Sequence, residues 1–345
     1  MKKIDNNLFN KLISIANLKP VADAFDVNKP IEVSVFCLTY NQEKYIRDAL
    51  DSFLMQLVDF NVEIVIHDDA STDSTPKILN EYANKYPNII KVFKESENLY
   101  SKVGDTIIIE REHIKRTYGK YIASCEGDDF WTDPYKLFLQ KAMLDEFVEA
   151  NFCTHKVEKI DLINSKNNCF IPEKPLISAQ LDEFEMAERV NIGYPFQTSS
   201  YFMRKVVYEK FLDEYPEYAQ IMPTSDESIM YYFANNGGCV YIDRTMSCWR
   251  QYTENSWNTH LLNLSSKEQN DRRRRLAEGI MKFYEYSGKR FPSCRERANY
   301  FMIVTYISEN KISQIFKDKS MRKTLKKQGL IRYFKLRIKS LIMKT

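Results

Sequence analysis

A short acidic segment, Glu126-Gly-Asp128-Asp129, has the composition of a cation site. Carboxylates this close together repel one another, so a buried group of them must bind a cation or take up protons. Oxygen ligands suit Mg²⁺ or Mn²⁺, which usually combine one or two carboxylates with phosphate oxygens. The glycine leaves room for a ligand to approach the backbone. An alternative is an acidic turn that caps a helix beginning at Pro134, with Asp133 as the N-cap, and for Asp128 and Asp129 both interpretations stay open.

A second polar segment, His67-Asp68-Asp69-Ala-Ser-Thr-Asp73, follows a β-branched run. Helix capping accounts for Ser71 to Asp73. It does not account for two carboxylates and a histidine at the end of a buried strand. A carboxylate at this place could accept a hydrogen bond from the ring N–H of a nucleobase.

A third carboxylate of interest, Asp226, lies at the start of a segment with the apolar spacing of a helix. Capping of that helix is the default interpretation. A helix N-terminus also stabilises the ionised carboxylate, which would suit a general base at the edge of a cleft.

Strands that alternate with helices position the first two segments. The expected strands are Glu32–Leu38, Val62–Ile66, Ile89–Phe93 and Lys120–Ser124, and the expected helices cover 44–56, a segment around 78–86, and 104–117. This alternation predicts an α/β fold with a mainly parallel central sheet flanked by helices. Ligands of such sheets bind beyond the carboxyl ends of the strands, so the polar segments should converge on one crevice.

The chain changes character after about residue 150. Mixed strands and loops follow, including an extended segment over Gln197–Arg204, with helices expected around 182–190 and 225–236. Beyond about residue 262 the sequence is helical and basic. Arg272 to Arg275 are four consecutive arginines, for which a solvated helix surface is the common explanation.

Composition excludes several classes of protein. The 345 residues include only 9 glycines and 11 prolines and carry a net charge of +3, which excludes collagen-like and disordered chains and gives no reason to expect nucleic acid as a partner. The seven cysteines form no C-x-x-C pair, as expected in a reducing cytosol. We find neither a secretory signal nor an apolar run long enough to span a membrane.

Taken together, the motifs resemble those of the family 2 glycosyltransferases, which have the GT-A fold. Val33–Asn41 is similar to the opening strand and Thr-Tyr-Asn loop of that family. Asp68–Asp73 matches its Asp-Asp-Gly-Ser-Thr-Asp signature with Ala70 in place of glycine, and Glu126–Asp129 stands where the family has its metal motif. The resemblance covers roughly residues 31–255.

The resemblance implies a role for several residues. It places Asp69 against the base, most often uracil, Asp128 on ribose or metal, and Asp129 on the Mn²⁺ or Mg²⁺ ion that holds the diphosphate. It makes Asp226 the catalytic base, although the alignment could slip to Glu227. The remaining nucleotide-binding residues are Leu38, Thr39, Tyr40, Asn41 and Glu43. The acceptor-side residues are Gln197, Thr198 and Ser199.

Two positions depart from the family pattern. Tyr252 stands where many relatives have a histidine that can bind the metal, and Glu126 replaces the commoner aspartate.

The implied activity is inverting transfer of a sugar from a nucleotide-sugar, with UDP as the expected nucleotide. The acceptor would be a hydroxyl of a saccharide or lipid-linked saccharide in cell-surface glycan synthesis. A nucleotidyltransferase on a similar core and an inactive sugar-nucleotide-binding module are alternatives. A metal-dependent phosphohydrolase needs converging histidines, and the four histidines are scattered in the sequence.

The expected organisation is a lead segment (1–29), a glycosyltransferase domain (30–260) and a basic helical region (261–345). The domain would divide into a nucleotide-binding half (30–130) and an acceptor half (131–260). Residues 319–345 contain ten basic residues and no acidic one. This segment could lie on an anionic membrane or pack on the protein's own acidic surface, so we expect a cytoplasmic protein with possible peripheral contact at the inner face of the membrane.

Overall fold

The computed structural model describes residues 1–193, 195–254 and 256–329. The strands are β1 (Lys2–Lys3), β2 (Lys19–Pro20), β3 (Ile31–Thr39), β4 (Leu57–Val58), β5 (Asn61–Asp68), β6 (Ile90–Lys94), β7 (Tyr121–Ser124), β8 (Phe130–Trp131), β9 (Phe152–Asp161), β10 (Cys169–Ile171), β11 (Ala179–Leu181), β12 (Phe202–Arg204) and β13 (Cys239–Gln251). The helices are α1 (Asn7–Ile15), α2 (Val21–Ala24), α3 (Ile46–Leu54), α4 (Thr75–Lys85), α5 (Leu99–Val103), α6 (Thr106–Ile114), α7 (Lys136–Glu146), α8 (Glu183–Ile192), α9 (Lys205–Glu214), α10 (Glu217–Ile221), α11 (Ser225–Ala234), α12 (Trp257–Leu262), α13 (Ser266–Tyr286), α14 (Pro292–Ser308), α15 (Ile312–Lys317) and α16 (Lys319–Gln328). Short 3₁₀ turns cover Ser165–Asn167 and Thr198–Ser200.

A large central sheet organises the described residues, in the order β1-β11-β13-β9-β12-β7-β3-β5-β6. The strands β7, β3, β5 and β6 are parallel, as are β9 and β13. Strand β12 runs antiparallel between β7 and β9 and joins these two parallel groups. The expected α/β fold with a mainly parallel sheet is confirmed.

Side chains of the parallel strands alternate between two apolar layers. In β3, Val33, Val35 and Cys37 enter the layer beneath α3, α4 and α7, whereas Phe36 enters the opposite layer. Both faces of β5 are buried along its whole length. A strand covered on both faces has no need of polar alternation, which explains the continuous β-branched run in the sequence.

The helix expected over 104–117 is two helices. Gly104 adopts a left-handed conformation (φ 67°) at the end of α5, and the side chain of Asp105 accepts a hydrogen bond from the amide of Ile107 (2.9 Å). Glycine enters this conformation without steric cost and aspartate is a strong N-cap, so α6 begins as a separate helix.

The capping role expected for Asp133 is wrong in detail. Helix α7 begins at Lys136 with Tyr135 at its N-cap. Asp133 instead accepts a hydrogen bond from the Tyr135 amide (2.9 Å) and forms an ion pair with Arg244 on β13. The carboxylate thus fixes the turn before the helix to a neighbouring strand.

Both ends of the described chain pack on the central body. In the lead segment, β1 pairs with β11 at the edge of the sheet. Helices α13 and α14 pack against each other, and α13 also contacts α10. Among the described helices we find none with the length and apolar character needed to cross a membrane.

Candidate active site

The carboxyl ends of β3, β5 and β7 meet along one rim of the sheet. Thr39 pairs with Asp68 across the first two strands. Beyond the strands, the Asp69 amide donates to the Thr39 carbonyl and the Gly127 amide donates to the Leu38 carbonyl, both over 3.0 Å. The loop after β3, the His67–Asp73 segment and the Glu126–Asp129 segment therefore lie together at this rim.

Two cavities adjoin this rim, with volumes of about 520 Å³ and about 570 Å³. They share a wall in which two carboxylates, Glu126 and Asp226, come from distant parts of the chain. The residues that line both cavities are Glu126, Thr198, Thr224, Asp226, Trp257 and Arg272. We call them the shared wall.

Asp226 is the second residue of α11, whose N-cap is Thr224. It is half-buried, and its charge contributes to raising the pKa of both Glu126 and Glu110. The next residue, Glu227, is buried and forms an ion pair with Arg297 of α14. The two acids that the sequence leaves as alternatives therefore have different surroundings.

We call Glu126, Asp128 and Asp129 the acidic cluster. Hydrogen bonds from Thr253, Arg250 and Gln197 hold two of its carboxylates. Asp128 accepts a hydrogen bond from the hydroxyl of Thr253 (2.5 Å). Asp129 is fully buried and accepts from the amide of Arg250 (2.9 Å) on one oxygen. The other oxygen accepts from the side-chain amide of Gln197 (3.1 Å).

The charges of the acidic cluster act on one another. Burial, followed by the charges of Asp128 and Asp226, raises the pKa of Glu126 well above its usual range. Burial and then the charge of Asp128 do the same for the pKa of Asp129, and burial also raises the pKa of Asp128. A divalent cation would relieve this repulsion, so the residues fit the Mg²⁺ or Mn²⁺ site that the sequence predicts.

The segment at Gln197 is a 3₁₀ turn, so the strand expected there is wrong before Phe202. The Gln197 side-chain oxygen accepts hydrogen bonds from the amide (2.7 Å) and hydroxyl (2.5 Å) of Ser199, and these bonds close the turn. Thr198 lines both cavities, whereas Ser199 is buried against Ser247 (2.8 Å). Of the three acceptor-side residues, Gln197 and Thr198 face a cavity.

Hydrogen bonds connect the loop after β3 to the loop after β5. The Asn41 side chain accepts from the Thr72 amide (2.7 Å), and the Glu43 side chain accepts from the Ser74 amide (2.8 Å). Asn41 has a left-handed backbone (φ 51°). These side chains brace the two loops against each other, while Leu38 lines the 520 Å³ cavity.

Two further residues of the loop after β3, Thr39 and Tyr40, differ in exposure. Thr39 is buried and donates a hydrogen bond to the side-chain oxygen of Gln42 (2.8 Å), whereas Tyr40 is exposed. A Cβ atom on Gly127 would lie 2.4 Å from that same Gln42 oxygen. The space beside Gly127 is thus filled by the protein's own loop, and the expectation that it admits a ligand is wrong.

Asp69 is buried, and its carboxylate accepts hydrogen bonds from the amides of Leu99 (2.6 Å) and Tyr100 (3.0 Å) at the start of α5. Ala70, which replaces the glycine of the motif, has a left-handed backbone (φ 61°). This conformation explains why glycine is the usual residue at that position.

The loop after β13 contains Tyr252, which stands where many relatives have a histidine that can bind the metal. Tyr252 has a left-handed backbone (φ 70°) and borders a separate cavity. Its neighbour Thr253 contacts the acidic cluster instead, through Asp128.

Sequence reasoning missed Arg272, which it assigned to a solvated helix surface. Arg272 is half-buried on α13, belongs to the shared wall and lies over the ring of Trp257 (5.4 Å). Its Nη1 atom is buried and has no hydrogen-bond partner among the described residues. Arg275 also lines the 520 Å³ cavity, whereas Arg274 pairs with Glu309 away from it. A run of four arginines in the sequence does not show which of them faces inward.

The four histidines are scattered in the sequence, but two of them meet in the fold. The rings of His67 and His113 lie 4.3 Å apart between centroids, and both are buried. Burial lowers the pKa of both rings, that of His113 to about 4, so both are neutral near pH 7. Buried polar atoms without hydrogen bonds cost about 1–3 kcal/mol each, and three of the four ring nitrogens are in that state.

Comparison with known proteins gives a family match. The family model described as "Glycosyl transferase family 2" matches residues 34–211, just over half of the chain. An uncharacterised protein of Mycobacterium tuberculosis is 33% identical over 229 residues, which cover 66% of this chain and 61% of that protein. The chain thus spans about three fifths of the length of this relative. A poly(ribitol-phosphate) beta-glucosyltransferase of Bacillus spizizenii is 32% identical over 101 residues, 29% of this chain and 15% of that enzyme.

Solved structures show the same fold. The structure of residues 1–349 of S. aureus TarS in complex with UDP-GlcNAc superposes with a TM-score of 0.57 at 19% identity, covering 81% of this chain and 73% of that chain. The structure of the same protein with UDP gives a TM-score of 0.54 at 18% identity, covering 80% and 72%. The expected GT-A fold is confirmed.

Proposed function

The chain belongs to glycosyl transferase family 2, and from that premise we propose that it moves a sugar from a UDP-sugar to a hydroxyl of a saccharide or lipid-linked saccharide, with inversion at the anomeric carbon. Cell-surface glycan synthesis is the process that fits such an acceptor. The observation that carries the proposal is the shared wall, where Glu126 of the acidic cluster and Asp226 border the same two cavities.

Asp226 is the general base in this proposal. The acceptor hydroxyl gives its proton to the Asp226 carboxylate as its oxygen attacks the anomeric carbon. The bond from that carbon to the diphosphate breaks, and the electron pair leaves with the nucleoside diphosphate. General base catalysis contributes about 10²–10⁴-fold to such a step.

The surroundings of the two neighbouring acids support Asp226 as the base. The Glu227 carboxylate is bonded to the Arg297 guanidinium, so it already has a charged partner within the protein. Asp226 borders both cavities, so it faces the space that an acceptor would occupy.

Asp128 and Asp129 would hold a Mn²⁺ or Mg²⁺ ion, with Glu126 close by. Such an ion supplies positive charge to the leaving diphosphate. Both oxygens of Asp129 already accept hydrogen bonds from the protein, so Asp129 also positions the cluster against β13. Arg272 adds a guanidinium to the shared wall, where it can bind a phosphate oxygen.

The donor side is formed by the loops after β3 and β5. We assign Leu38, Thr39, Tyr40, Asn41, Glu43 and Asp69 to the nucleotide, with Asp128 at the ribose or metal. The UDP-GlcNAc bound by TarS, a protein of the same fold, supports UDP as the nucleotide.

The acceptor side is the 570 Å³ cavity. We assign Gln197, Thr198 and Ser199 to this side, and basic side chains at Lys159 and Arg189 also line it. Cationic groups at this position suit an acceptor that carries phosphate, as a lipid-linked saccharide does.

The domain boundaries proposed are 30–260 for the glycosyltransferase domain, with its halves meeting near residue 130, and 261–345 for the basic region. Helix α13 of the basic region supplies Arg272 to the shared wall. The basic region therefore contributes a side chain to the proposed active site.

Contact with an anionic membrane at the cytoplasmic face is proposed for residues 319–345. Helix α16 packs on α14 through the bond from the Asn299 amide to the Ser320 hydroxyl (2.6 Å). Residues 330–345 of this segment lie outside the described part of the chain.

The decisive experiment measures nucleoside diphosphate release from a panel of sugar nucleotides, with and without Mn²⁺, for the full chain and for Asp226→Asn. The proposal predicts metal-stimulated release from a UDP-sugar that the variant loses. Pyrophosphate release from a nucleoside triphosphate and a sugar phosphate would instead identify a nucleotidyltransferase. Tight UDP-sugar binding without turnover across a panel of saccharide acceptors would identify a binding module.

A further inference from the structure

A second group of metal-ligating side chains lies beside Asp69. His67 is near the end of β5, Glu95 directly follows β6, and His113 is in the last turn of α6. One ligand atom from each of these three residues, which we call the histidine cluster, lies within 4.8 Å of the others.

The histidine cluster lacks the hydrogen bonds that buried imidazoles normally make. The His67 side chain is 1% exposed and the His113 side chain 3% exposed. Neither ring nitrogen of His67 has a hydrogen-bond partner among the described residues, and Nδ1 of His113 has none either. Most buried side-chain polar atoms are paired, so the unpaired Nδ1 of His67 beside Glu95 points to an unfilled ligand role.

The distances within the cluster match a tetrahedral ion. Nδ1 of His67 lies 3.7 Å from the Glu95 carboxylate, and Nε2 of His113 lies 3.5 Å from the same oxygen. These contacts are too long for hydrogen bonds. Ligand atoms about 2.0–2.1 Å from a tetrahedral ion are about 3.4 Å apart, close to the separations seen here.

We propose that His67, Glu95 and His113 bind a divalent transition-metal ion, with Zn²⁺ as the best match. Two imidazoles and one carboxylate favour Zn²⁺ over Mg²⁺, which prefers oxygen ligands alone. The site is chemically distinct from the acidic cluster, whose ligands are all carboxylates. Glu95 is 28% exposed, which leaves a route for the ion and a water ligand.

The ion would act by positioning Asp69. Coordination through Nδ1 of His67 places the ring proton on Nε2, and Nε2 lies 3.6 Å from the Asp69 carboxylate. Metal-bound histidines commonly donate a hydrogen bond from the second nitrogen to a carboxylate, which requires this distance to shorten to about 3 Å when the ion binds. Asp69 also holds the start of α5 through the Leu99 and Tyr100 amides. The ion thus ties the ends of β5 and β6 and helix α6 to the loop beside the proposed nucleotide pocket.

The test is zinc binding by the full-length chain after removal of metal with a chelator. We expect one Zn²⁺ per chain in calorimetry, a rise in Tm on zinc addition, and a visible absorption spectrum of a four-coordinate ion after Co²⁺ substitution. His67→Gln, Glu95→Gln and His113→Gln should each weaken zinc binding by at least about 10-fold. His260→Gln, which changes an exposed histidine on α12, is the matched control and should bind as the wild type does.

Two further variants separate this site from the proposed active site. Asp128→Asn and Asp226→Asn should retain the zinc ion, whatever happens to sugar transfer. Zinc binding that is lost in Asp128→Asn but kept in His113→Gln would assign the ion to the acidic cluster and overturn the proposal. Absence of stoichiometric zinc binding by the wild-type chain would overturn it without reference to any variant.

Discussion

The carboxylate of Glu227 is bonded to the guanidinium of Arg297, with both side chains about nine-tenths buried. The preceding residue, Asp226, borders both cavities, whereas Glu227 borders only the 570 Å³ cavity. Adjacent acids at the start of one helix are thus placed for different tasks: one fixes α11 to α14, and the other lies in the shared wall of the two cavities.

The first prediction separates these two tasks. Asp226→Asn should reduce kcat by about 10²-fold or more, because the amide cannot take up the proton of the acceptor hydroxyl. Glu227→Gln should lower the free energy of unfolding by about 3 kcal/mol, because a buried ion pair loses one charge. Steady-state transfer assays and urea unfolding measure the two effects. Turnover of Asp226→Asn at the wild-type rate would remove Asp226 from the base role.

Arg272 should contribute to binding of the donor diphosphate. Arg272→Gln is expected to raise KM for the sugar nucleotide about 10-fold, a loss of about 1.4 kcal/mol of binding free energy. Arg274→Gln is the matched control, since Arg274 pairs with Glu309 and does not line the cavities. Equal KM values for the two variants would contradict this role.

Asp128 and Asp129 should respond differently to loss of charge. Asp128→Asn should weaken Mn²⁺-dependent UDP binding by about 10-fold or more with a small change in Tm. Asp129→Asn should weaken it and also lower Tm, because an Asn side chain cannot accept hydrogen bonds on both terminal atoms as Asp129 does with Arg250 and Gln197. Calorimetry with and without Mn²⁺ and thermal unfolding test this difference.

Stability should depend on pH through Glu110, a buried residue of α6 that accepts a hydrogen bond from Tyr208. Burial, followed by the charge of Asp226, raises the pKa of Glu110 from 4.5 to about 7. The folded state then binds more protons than the unfolded state between these values, so the Glu110 contribution to the free energy of unfolding falls as pH rises and levels off above about pH 7.

Glu110→Gln should remove this contribution. Relative to the variant, the wild type should lose about 3 kcal/mol between pH 4 and pH 8. Urea unfolding across this range gives the difference. Glu112→Gln, on the exposed side of the same helix, should follow the wild-type curve.

Membrane contact is tested on the basic residues beyond the described chain. Replacing Arg332, Lys335, Arg337 and Lys339 with glutamine should weaken binding to vesicles containing phosphatidylserine by about 10²–10³-fold, since each basic residue contributes about 1 kcal/mol at an anionic surface. Neutral phosphatidylcholine vesicles are the control. Unchanged sedimentation with anionic vesicles would exclude this segment as the membrane contact.

Periodicity and order of motifs were enough to predict the parallel core. Strands such as β5 are continuous apolar runs, and the polar residues that follow them stand out against that pattern. The same local signals place Asp69 and Asp128 at one rim, because parallel strands end on the same edge of a sheet.

The separation of α5 from α6 could have been predicted locally, because Gly104 is a helix stop signal and Asp105 is a helix start signal. Features that depend on distant contacts could not be predicted. The inward direction of Arg272 and the meeting of His67 with His113 depend on how α13 and α6 pack against other elements. No spacing within the sequence reports such packing.

The shared wall has a practical consequence for inhibitor chemistry. A uridine diphosphate analogue in one cavity and a saccharide fragment in the other would be separated only by the side chains around Glu126 and Asp226. Joining the two by a short tether makes the second binding step intramolecular, with an effective concentration on the order of millimolar. Two weak fragments could in this way be turned into one tight bisubstrate ligand.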